Sequence, residues 1–479
     1  MTGLSHESMY KISPKAVMFM DIVYMIVLFS ISPLFPGISW TRIGDFNMAE
    51  INYYHGVMIQ LAVFGILLVA YVLKFPKKLL DFFSISNIII LVLNVLSIAF
   101  FYPSWAIAAS NVIEGIRDFY ATIISIIIIV ALIVLPFVEK NVRSISKGSI
   151  VAYILLIASI ISATIAGIMG LVLADGVFLH FSNVPSWFMA DIKSWGGVST
   201  FIGNLSGSHS HEMLPAIGGA MIALAAIVFN YADMRNKKAK YAVDAGFIVA
   251  IFGVISMTVL YIISSFGTYA IPTISPFGPY GVNGLALDDS QTGLIGFGSI
   301  IVAFALIGGG LLADKLPHTR LLKVMEILTW FSAMFVLVGV GYPIEFNEAF
   351  FGFATPGTPK TGGGPGWMYD AAFLRAHLFF VFYLLPIVAG SIIAAYEILK
   401  GNIIGSRARV LTKISSYFFF FGIIMASDGV VVWTLTIHQW LPFIIGISFI
   451  LASIFLLLYP IFSVFTVNRA RIKKSPTME

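Results

Sequence analysis

The chain has no cysteine and few charged residues. The absence of cysteine excludes disulfides, thiolate zinc sites, iron–sulfur clusters and the covalent attachment of c-type haem. Only 11% of the 479 residues are charged, whereas roughly a quarter are charged in an ordinary soluble domain. Hydrophobic residues make up 59% of the chain, and apolar runs of about 20 residues, enough to cross a bilayer, recur from end to end. The composition therefore predicts one integral membrane domain and excludes a soluble enzyme with an anchor.

The apolar runs predict an all-α bundle of about twelve transmembrane helices. The predicted spans are 17–36, 51–73, 82–103, 118–138, 149–173, 211–231, 244–270, 293–313, 324–342, 371–396, 414–436 and 440–463. The polar segment before the first span is short and has no cleavable hydrophobic region, so no targeting peptide is expected there.

The distribution of basic residues supports this topology. If both termini are cytoplasmic, all but five of the 28 lysines and arginines fall on the inner side. The five exceptions are Arg42, Arg117, Lys193, Lys360 and Arg375. Because cationic loops resist translocation, this asymmetry predicts a multi-pass cell-membrane protein with both termini inside. The net charge of +5 therefore reflects membrane topology; membrane lipid is expected as a partner, and nucleic acid is not.

Three predicted outer loops are long and rich in aromatic residues, glycine and proline, namely 37–50, 174–210 and 343–370. Asn204, in the second of them, is a possible glycosylation acceptor. Each loop leads into a helix that carries histidine near its outer start. This layout predicts a pseudo-three-fold repeat of four helices within a single transmembrane domain, with sub-repeats at approximately 17–140, 149–320 and 324–463.

The candidate ligands are four histidines at the outer ends of three helices: His55, His209, His211 and His377. Polar ionisable residues in a membrane span normally face the bundle interior and have a function there. Residues i and i+2 of a helix point about 200° apart, so His209 and His211 are expected to face two different spaces between helices. Pairing one with His55 and the other with His377 gives two bis-histidine haems b. If residues 207–211 are a loop instead, both histidines of that segment are placed to bind one copper ion.

Three charged residues are assigned supporting roles. Arg375 and Arg42 are outer-side cations placed to neutralise haem propionates. Asp428 is an acid inside an apolar span, where it is either a proton-handling group or a paired structural one. The other histidines are read as solvated loop or tail residues, namely His6, His180, His318 and His438.

The histidine segments resemble subunit I of the haem–copper oxidase superfamily. Tyr54-His55-Gly56 is similar to that family's second-helix haem-ligand segment, and Ser208-His209-Ser210-His211 resembles its tenth-helix segment. The segment from His209 to Leu214 also resembles NnrS, a membrane family that contains haem and copper. The chain lacks the adjacent His-His pair and the His-x-x-x-Tyr motif of the oxidases, so reduction of oxygen or nitric oxide at a binuclear centre is not expected. The chain, which has no cysteine and is rich in isoleucine, also looks similar to the polytopic CbsB-type subunit of an archaeal cytochrome b complex.

The expected function is electron transfer through haem b in a respiratory complex. Electrons are expected to pass from quinol toward an extracytoplasmic cytochrome or another redox subunit, and the sequence does not decide whether the chain is itself an enzyme. A haem–copper protein of the NnrS or oxidase type is the first alternative. A secondary transporter without haem is the second, because about twelve spans with inward termini also describe many carriers. A structural or assembly role without a cofactor is the third.

Overall fold

The computed structural model describes residues 12–31, 48–101, 103–178, 186–194, 198–229, 231–266, 289–313, 406–436 and 441–473. The described residues form helices and no strand. The α-helices are α1 Pro14–Ile31, α2 Met48–Val72, α3 Lys77–Phe101, α4 Ile107–Val138, α5 Lys140–Gly148, α6 Ile150–Phe178, α7 Ser186–Ser194, α8 Val198–Val228, α9 Lys237–Phe266, α10 Asp289–Leu312, α11 Ser406–Thr436 and α12 Leu441–Lys473.

Six helical segments among the described residues are long and apolar enough to cross a membrane. They are His55–Val72, Lys77–Phe101, Ile107–Val138, Ile150–Val172, Lys237–Ile262 and Leu441–Pro460. A helix satisfies its backbone hydrogen bonds internally, which is what a span through hydrocarbon requires. The prediction of an all-α membrane protein is therefore confirmed for the described part of the chain.

The chain forms two compact units. The first unit comprises Met1–Val72, Val228–Asn236 and Leu311–Glu479, and the second comprises Leu73–Ile227 and Lys237–Gly310. In the first unit, α1 packs against α2, where Gln60 Nε2 donates to Asp21 Oδ1 at 2.7 Å. In the same unit, α11 and α12 approach closely because glycines stand at their contact. A Cβ on Gly446 would meet the backbone of Ala426.

Consecutive long helices of the second unit run antiparallel, whereas α6 and α9, which contact each other through Ser162 and Thr258, run parallel. On α3, Ser86 contacts Tyr120 of α4 and the carbonyl of Ser97 accepts from Ser110, so later residues of α3 meet earlier residues of α4. The same order holds between α4 and α6, between α6 and α8, and between α9 and α10, where later residues of the first helix contact earlier residues of the second. The starts of α3, α6 and α9 therefore share one end of the unit with the ends of α4, α8 and α10. This lysine end carries the exposed residues Lys77, Lys78, Lys140, Lys147, Lys237 and Lys238.

The short helix α5 reverses the chain at the lysine end. Its Arg143 donates from Nε to the carbonyl of Pro136 at 2.8 Å and also to the carbonyl of Phe137. The last carbonyls of a helix have no intrahelical partner, so this arginine caps α4. Lys140 and Lys147 lie on the exposed side of α5, whereas Val142 is buried.

Ten of the predicted spans overlap described helices, and spans 324–342 and 371–396 lie outside the described residues. Two boundaries differ from the described helices by more than ten residues. Helix α4 begins at Ile107 rather than near residue 118, so Arg117 is buried inside a helix and is not an outer-loop cation. The predicted loop 174–210 contains the end of α6, all of α7 and the first part of α8. In α4, the buried polar residues Glu114 and Arg117 lowered the local hydropathy, and in α8 the buried Ser208 and the α6 contact residue His209 had the same effect, so a loop was predicted in both places.

Candidate functional site between helices α6 and α8

His209 lies inside α8 and packs against α6. Its Nδ1 is 2.7 Å from the carbonyl oxygen of Ala166. A carbonyl only accepts hydrogen bonds, so Nδ1 must carry the hydrogen. In the neutral ring, Nε2 then holds the lone pair. The backbone of α6 therefore selects one tautomer of His209 and fixes the direction of its ring.

Gly170 makes room for the imidazole of His209. A Cβ added at this position of α6 would lie 2.6 Å from Cε1, 2.8 Å from Nδ1 and 3.2 Å from Nε2 of His209. Distances under 3 Å are not tolerated, so any larger residue would move the ring away from Ala166. Gly167, one turn earlier on α6, would meet nothing within 4 Å, so the close approach is local to Gly170.

Glu212 follows His209 by one turn and is fully buried in the same interface. Ser162 of α6 donates its hydroxyl hydrogen to Glu212 Oε1 at 2.9 Å, and the hydroxyl of Thr258 of α9 donates to Ser162 at 2.7 Å. Among the residues that the structure describes, Glu212 Oε2 has no hydrogen-bond partner. Placing a carboxyl group inside an apolar span costs free energy, so residues of this kind normally have a function.

No role was predicted for Glu212, although it directly follows His211 in the sequence. The available signal was the spacing, because Glu212 lies three residues after His209 and the two therefore share a helix face. Their partners on α6, Ser162 and Ala166, are four residues apart and form the matching face. Nothing in the sequence predicted that α6 would supply those partners.

The segment that contains His209 and His211 is helical. Helix α8 is continuous from Val198 to Val228, so both histidines lie well inside it instead of opening it. Positions 209 and 211 therefore lie on opposite sides of α8, and the segment is not the loop that the single-copper alternative requires. The side chain of His211 lies outside the described residues. Pro215 also lies inside α8 and, since it has no N–H, the carbonyl of His211 lacks its usual helical partner.

The remaining predicted site residues are distributed as follows. His55 is half-buried on α2 in the first unit, whereas His209 belongs to the second. Asp428 lies in α11, and its side chain is outside the described residues. Arg42, Arg375 and His377 are also outside them.

The first unit holds a buried carboxyl group, that of Asp21, for which no role was predicted from the sequence. Asp21 of α1 and Gln60 of α2 are both fully buried, and they share the 2.7 Å hydrogen bond described above. Near the start of α1, the ammonium of Lys15 lies 5.8 Å from the centroid of the Tyr71 ring. The signal for Asp21 was an acid within the first predicted span, the same signal that drew attention to Asp428.

No protein-family model, curated protein or solved structure matches this chain. The interpretation of these helices therefore depends on their own chemistry. The α6–α8 interface combines a histidine of fixed tautomer, a carboxyl group and the hydroxyl of Ser162, and α9 adds the hydroxyl of Thr258. Such a set is able to present a neutral imidazole nitrogen to a metal.

Proposed function

We propose that the protein is an electron-transfer subunit of a respiratory membrane complex that holds two haems b near its extracytoplasmic face. The proposed topology has twelve spans in three repeats of four, with both termini in the cytoplasm and several passes through the cell membrane. His55, His209, His211 and His377 are the proposed axial ligands, and Arg375 and Arg42 the proposed partners of the propionates.

The tautomer of His209 carries this proposal. Histidines that bind a metal almost always donate the other ring N–H to a carbonyl, a carboxylate or water. His209 makes this contact from Nδ1 to the carbonyl of Ala166, so Nε2 is the nitrogen suited to iron. Glycine at position 170 lets the ring lie close enough to α6 for that bond.

The continuity of α8 supports a two-haem arrangement over a single copper site. Because positions two residues apart lie on opposite sides of a helix, His209 and His211 are proposed to serve different metal groups. His209 is nineteen residues from the end of α8, or about 28 Å along the helix axis. His55 is seventeen residues from the end of α2, or about 26 Å. A basic segment follows the C-terminal end of each of these two helices. Each histidine is thus about one hydrocarbon thickness away from that end.

The residues of the chain have binding and orienting roles in this proposal. The histidines hold iron, and the carbonyl of Ala166 keeps the ring of His209 from rotating. Bound haem supplies a one-electron couple. Quinol is the proposed electron donor, and an extracytoplasmic cytochrome or another redox subunit is the proposed acceptor. The half-buried position of His55 on α2 is compatible with a ligand role.

An optical difference spectrum tests the proposal. The protein purified from cells with adequate haem supply is expected to show b-type bands in its reduced-minus-oxidised spectrum. His211→Ala is expected to abolish the bands of at least one haem, because imidazole ligation is lost on that side of α8. His180→Ala, at a histidine assigned to a loop, is the matched control and should leave the spectrum unchanged.

Two other results would redirect the proposal. Recovery of folded protein without haem under these conditions would reject the electron-transfer function. Copper stoichiometric with protein, measured by metal analysis, would favour a haem–copper protein of the NnrS or oxidase type.

A proton-coupled secondary transporter is the second candidate, and the buried Asp21–Gln60 pair favours it. A carboxyl group that is fully buried inside a helix of a membrane protein is a common feature of proton-driven carriers. The two candidates differ in haem content. If the protein folds without haem and Asp21→Asn leaves its thermal stability unchanged, the transporter reading is preferred. Transport is excluded as the main function if the purified protein contains haem and its b-type bands change when a proposed histidine ligand is substituted.

A further inference from the structure

The short helix α5 lies where two long apolar helices end. It joins α4 to α6, and the candidate membrane spans of those helices are Ile107–Val138 and Ile150–Val172. Helix α5 begins at Lys140, two residues after the first span ends, and it ends at Gly148, two residues before the second span begins. Because spans meet the lipid headgroups at their ends, this position places α5 at the level of the headgroups.

Helix α5 has a buried face and a cationic face. Val142 and Ser146, four residues apart, are buried. Lys140, Arg143 and Lys147 are exposed, and their spacing of three and four residues puts them on one face of the helix. These three residues form the α5 cationic stripe, which extends about 10 Å along the helix axis.

The charge of the stripe is not neutralised within the part of the chain that the structure describes. Lys140 and Lys147 form no ion pair there, and Glu139, at the N-cap of α5, makes no capping bond with its side chain. The dipole of a helix favours an anion near its first turn, where Lys140 stands instead. Arg143 donates from Nε and Nη2 to carbonyls of α4, which leaves Nη1 uncommitted among the described residues. The stripe is therefore suited to an anion.

Exposed apolar side chains lie on both sides of the stripe. Phe137 and Val138, the last residues of α4, are 75% and 66% exposed, and Ile150, the first residue of α6, is 55% exposed. One turn further into the two spans, Val134 and Ile154 are also exposed. A water-soluble anion would need only the cations. An amphiphile with an anionic headgroup and apolar chains would use both parts of this surface.

Membrane topology alone does not require the alignment of these cations. Positive charge retains a loop in the cytoplasm whichever helix face carries it. Lys237 and Lys238 of α9 illustrate the difference, because consecutive positions lie about 100° apart on a helix and form no stripe. Three cations on one face are instead able to contact one phosphate group together.

We propose that the α5 cationic stripe and the apolar helix ends beside it bind an anionic phospholipid. The headgroup phosphate contacts Lys140, Arg143 and Lys147, and the acyl chains lie along the exposed sides of Phe137 and Ile150. The bound lipid ties the connection between α4 and α6 to the membrane surface. This inference does not depend on haem.

Native mass spectrometry of the protein in detergent tests the lipid site. The protein is titrated with phosphatidylglycerol and, separately, with phosphatidylcholine that has the same acyl chains. Phosphatidylglycerol is expected to bind at least about tenfold more tightly, because its headgroup has a net negative charge. Glycerol 3-phosphate has the anion without acyl chains and should leave phosphatidylglycerol bound at equal concentration. Equal binding of the two lipids, or full displacement by glycerol 3-phosphate, would overturn the proposal.

Two double variants with the same change in charge locate the site. Lys140→Gln with Lys147→Gln removes two cations of the stripe and is expected to weaken phosphatidylglycerol binding about tenfold. Lys237→Gln with Lys238→Gln removes two cations from α9 and should change the affinity by less than about twofold. Equal weakening by the two double variants would reject the α5 site, since the lipid would then respond only to the total charge of the lysine end.

Thermal unfolding of the unmodified protein is a second measurement, and it does not depend on the folding of any variant. A ligand that binds only the folded state raises the stability, so phosphatidylglycerol should raise the unfolding midpoint more than phosphatidylcholine does. High salt should reduce this difference, because salt screens exposed charges. Equal midpoints in the two lipids at low salt would contradict the proposal, as would a difference that high salt leaves unchanged.

Discussion

The ring of His209 is held by two features of α6, a carbonyl at Ala166 and the missing side chain at Gly170. The first selects the tautomer, and the second sets how closely the ring lies against the helix. Neither feature is visible in a hydropathy profile. The sequence identified His209 as a ligand candidate, but its neighbours come from a segment about forty residues earlier.

Gly170→Ala is expected to displace His209 and lower the free energy of unfolding by about 1–3 kcal/mol, the usual effect of overpacking. The thermal unfolding midpoint would fall, and any b-type spectrum would change, because the Nδ1 bond to Ala166 is lost. Gly167→Ala is the control. Its Cβ meets nothing within 4 Å, so it should be neutral or stabilise the helix by up to about 1 kcal/mol. Equal effects of the two substitutions would contradict the proposed contact.

Ser162→Ala is expected to destabilise the protein by about 1–3 kcal/mol, because the buried Glu212 would lose its hydroxyl donor. Ser159, one turn earlier on α6, is also buried, but its hydroxyl has no partner among the described residues. Ser159→Ala removes a hydroxyl of the same size and should therefore change the stability less. Chemical or thermal unfolding in detergent measures both variants, and a larger effect at Ser159 would count against the network.

Helix pairs show which local features decide the packing. In α11 and α12, Gly446 lies against the backbone of Ala426. Ser415 and Ser453 add a hydrogen bond of 2.9 Å between the same helices. Membrane helices usually associate through small residues and a few polar contacts, because lipid tails are as apolar as the side chains and the hydrophobic effect does not drive helices together.

Gly446→Ala is therefore expected to separate α11 from α12 and lower the stability by about 1–3 kcal/mol, since its Cβ would meet backbone atoms that cannot move aside. A lower unfolding midpoint in detergent would be the measured effect. Gly309→Ala, on α10, serves as the control because nothing lies within 4 Å of its Cβ. Equal unfolding midpoints for Gly446→Ala and Gly309→Ala would contradict the importance of the α11–α12 contact.

Hydropathy predicted the existence of the long helices well and their ends poorly. The start of α4 was missed because Glu114, Arg117 and Asp118 lowered the local hydropathy, although this helix turns those side chains inward. The start of α8 was missed for a similar reason around His209. A sequence shows which residues are polar, but only the packing shows that their polar faces meet another helix instead of water.

Across the chain, the distribution of lysine and arginine predicts which ends of the helices lie in the cytoplasm, and this remains a prediction. Lys147, at the lysine end, and Trp105, at the α3–α4 connection, are both exposed and belong to opposite ends of the second unit. Trp105→Cys should react with a membrane-impermeant maleimide in intact cells. Lys147→Cys should react only after permeabilisation, as measured by gel shift. The reverse pattern would invert the proposed topology.

The antiparallel order of the second unit also has a consequence for biogenesis. The pairs α3–α4, α6–α8 and α9–α10 are three helical hairpins whose open ends share the lysine end. With the lysine end in the cytoplasm, as proposed, each hairpin is able to enter the bilayer as one unit, because its lysines stay behind and Lys193 is the only basic residue in the three connecting segments. A mutation that prevents one hairpin from inserting should therefore leave the orientation of the next unchanged, since each hairpin begins and ends on the same side of the membrane.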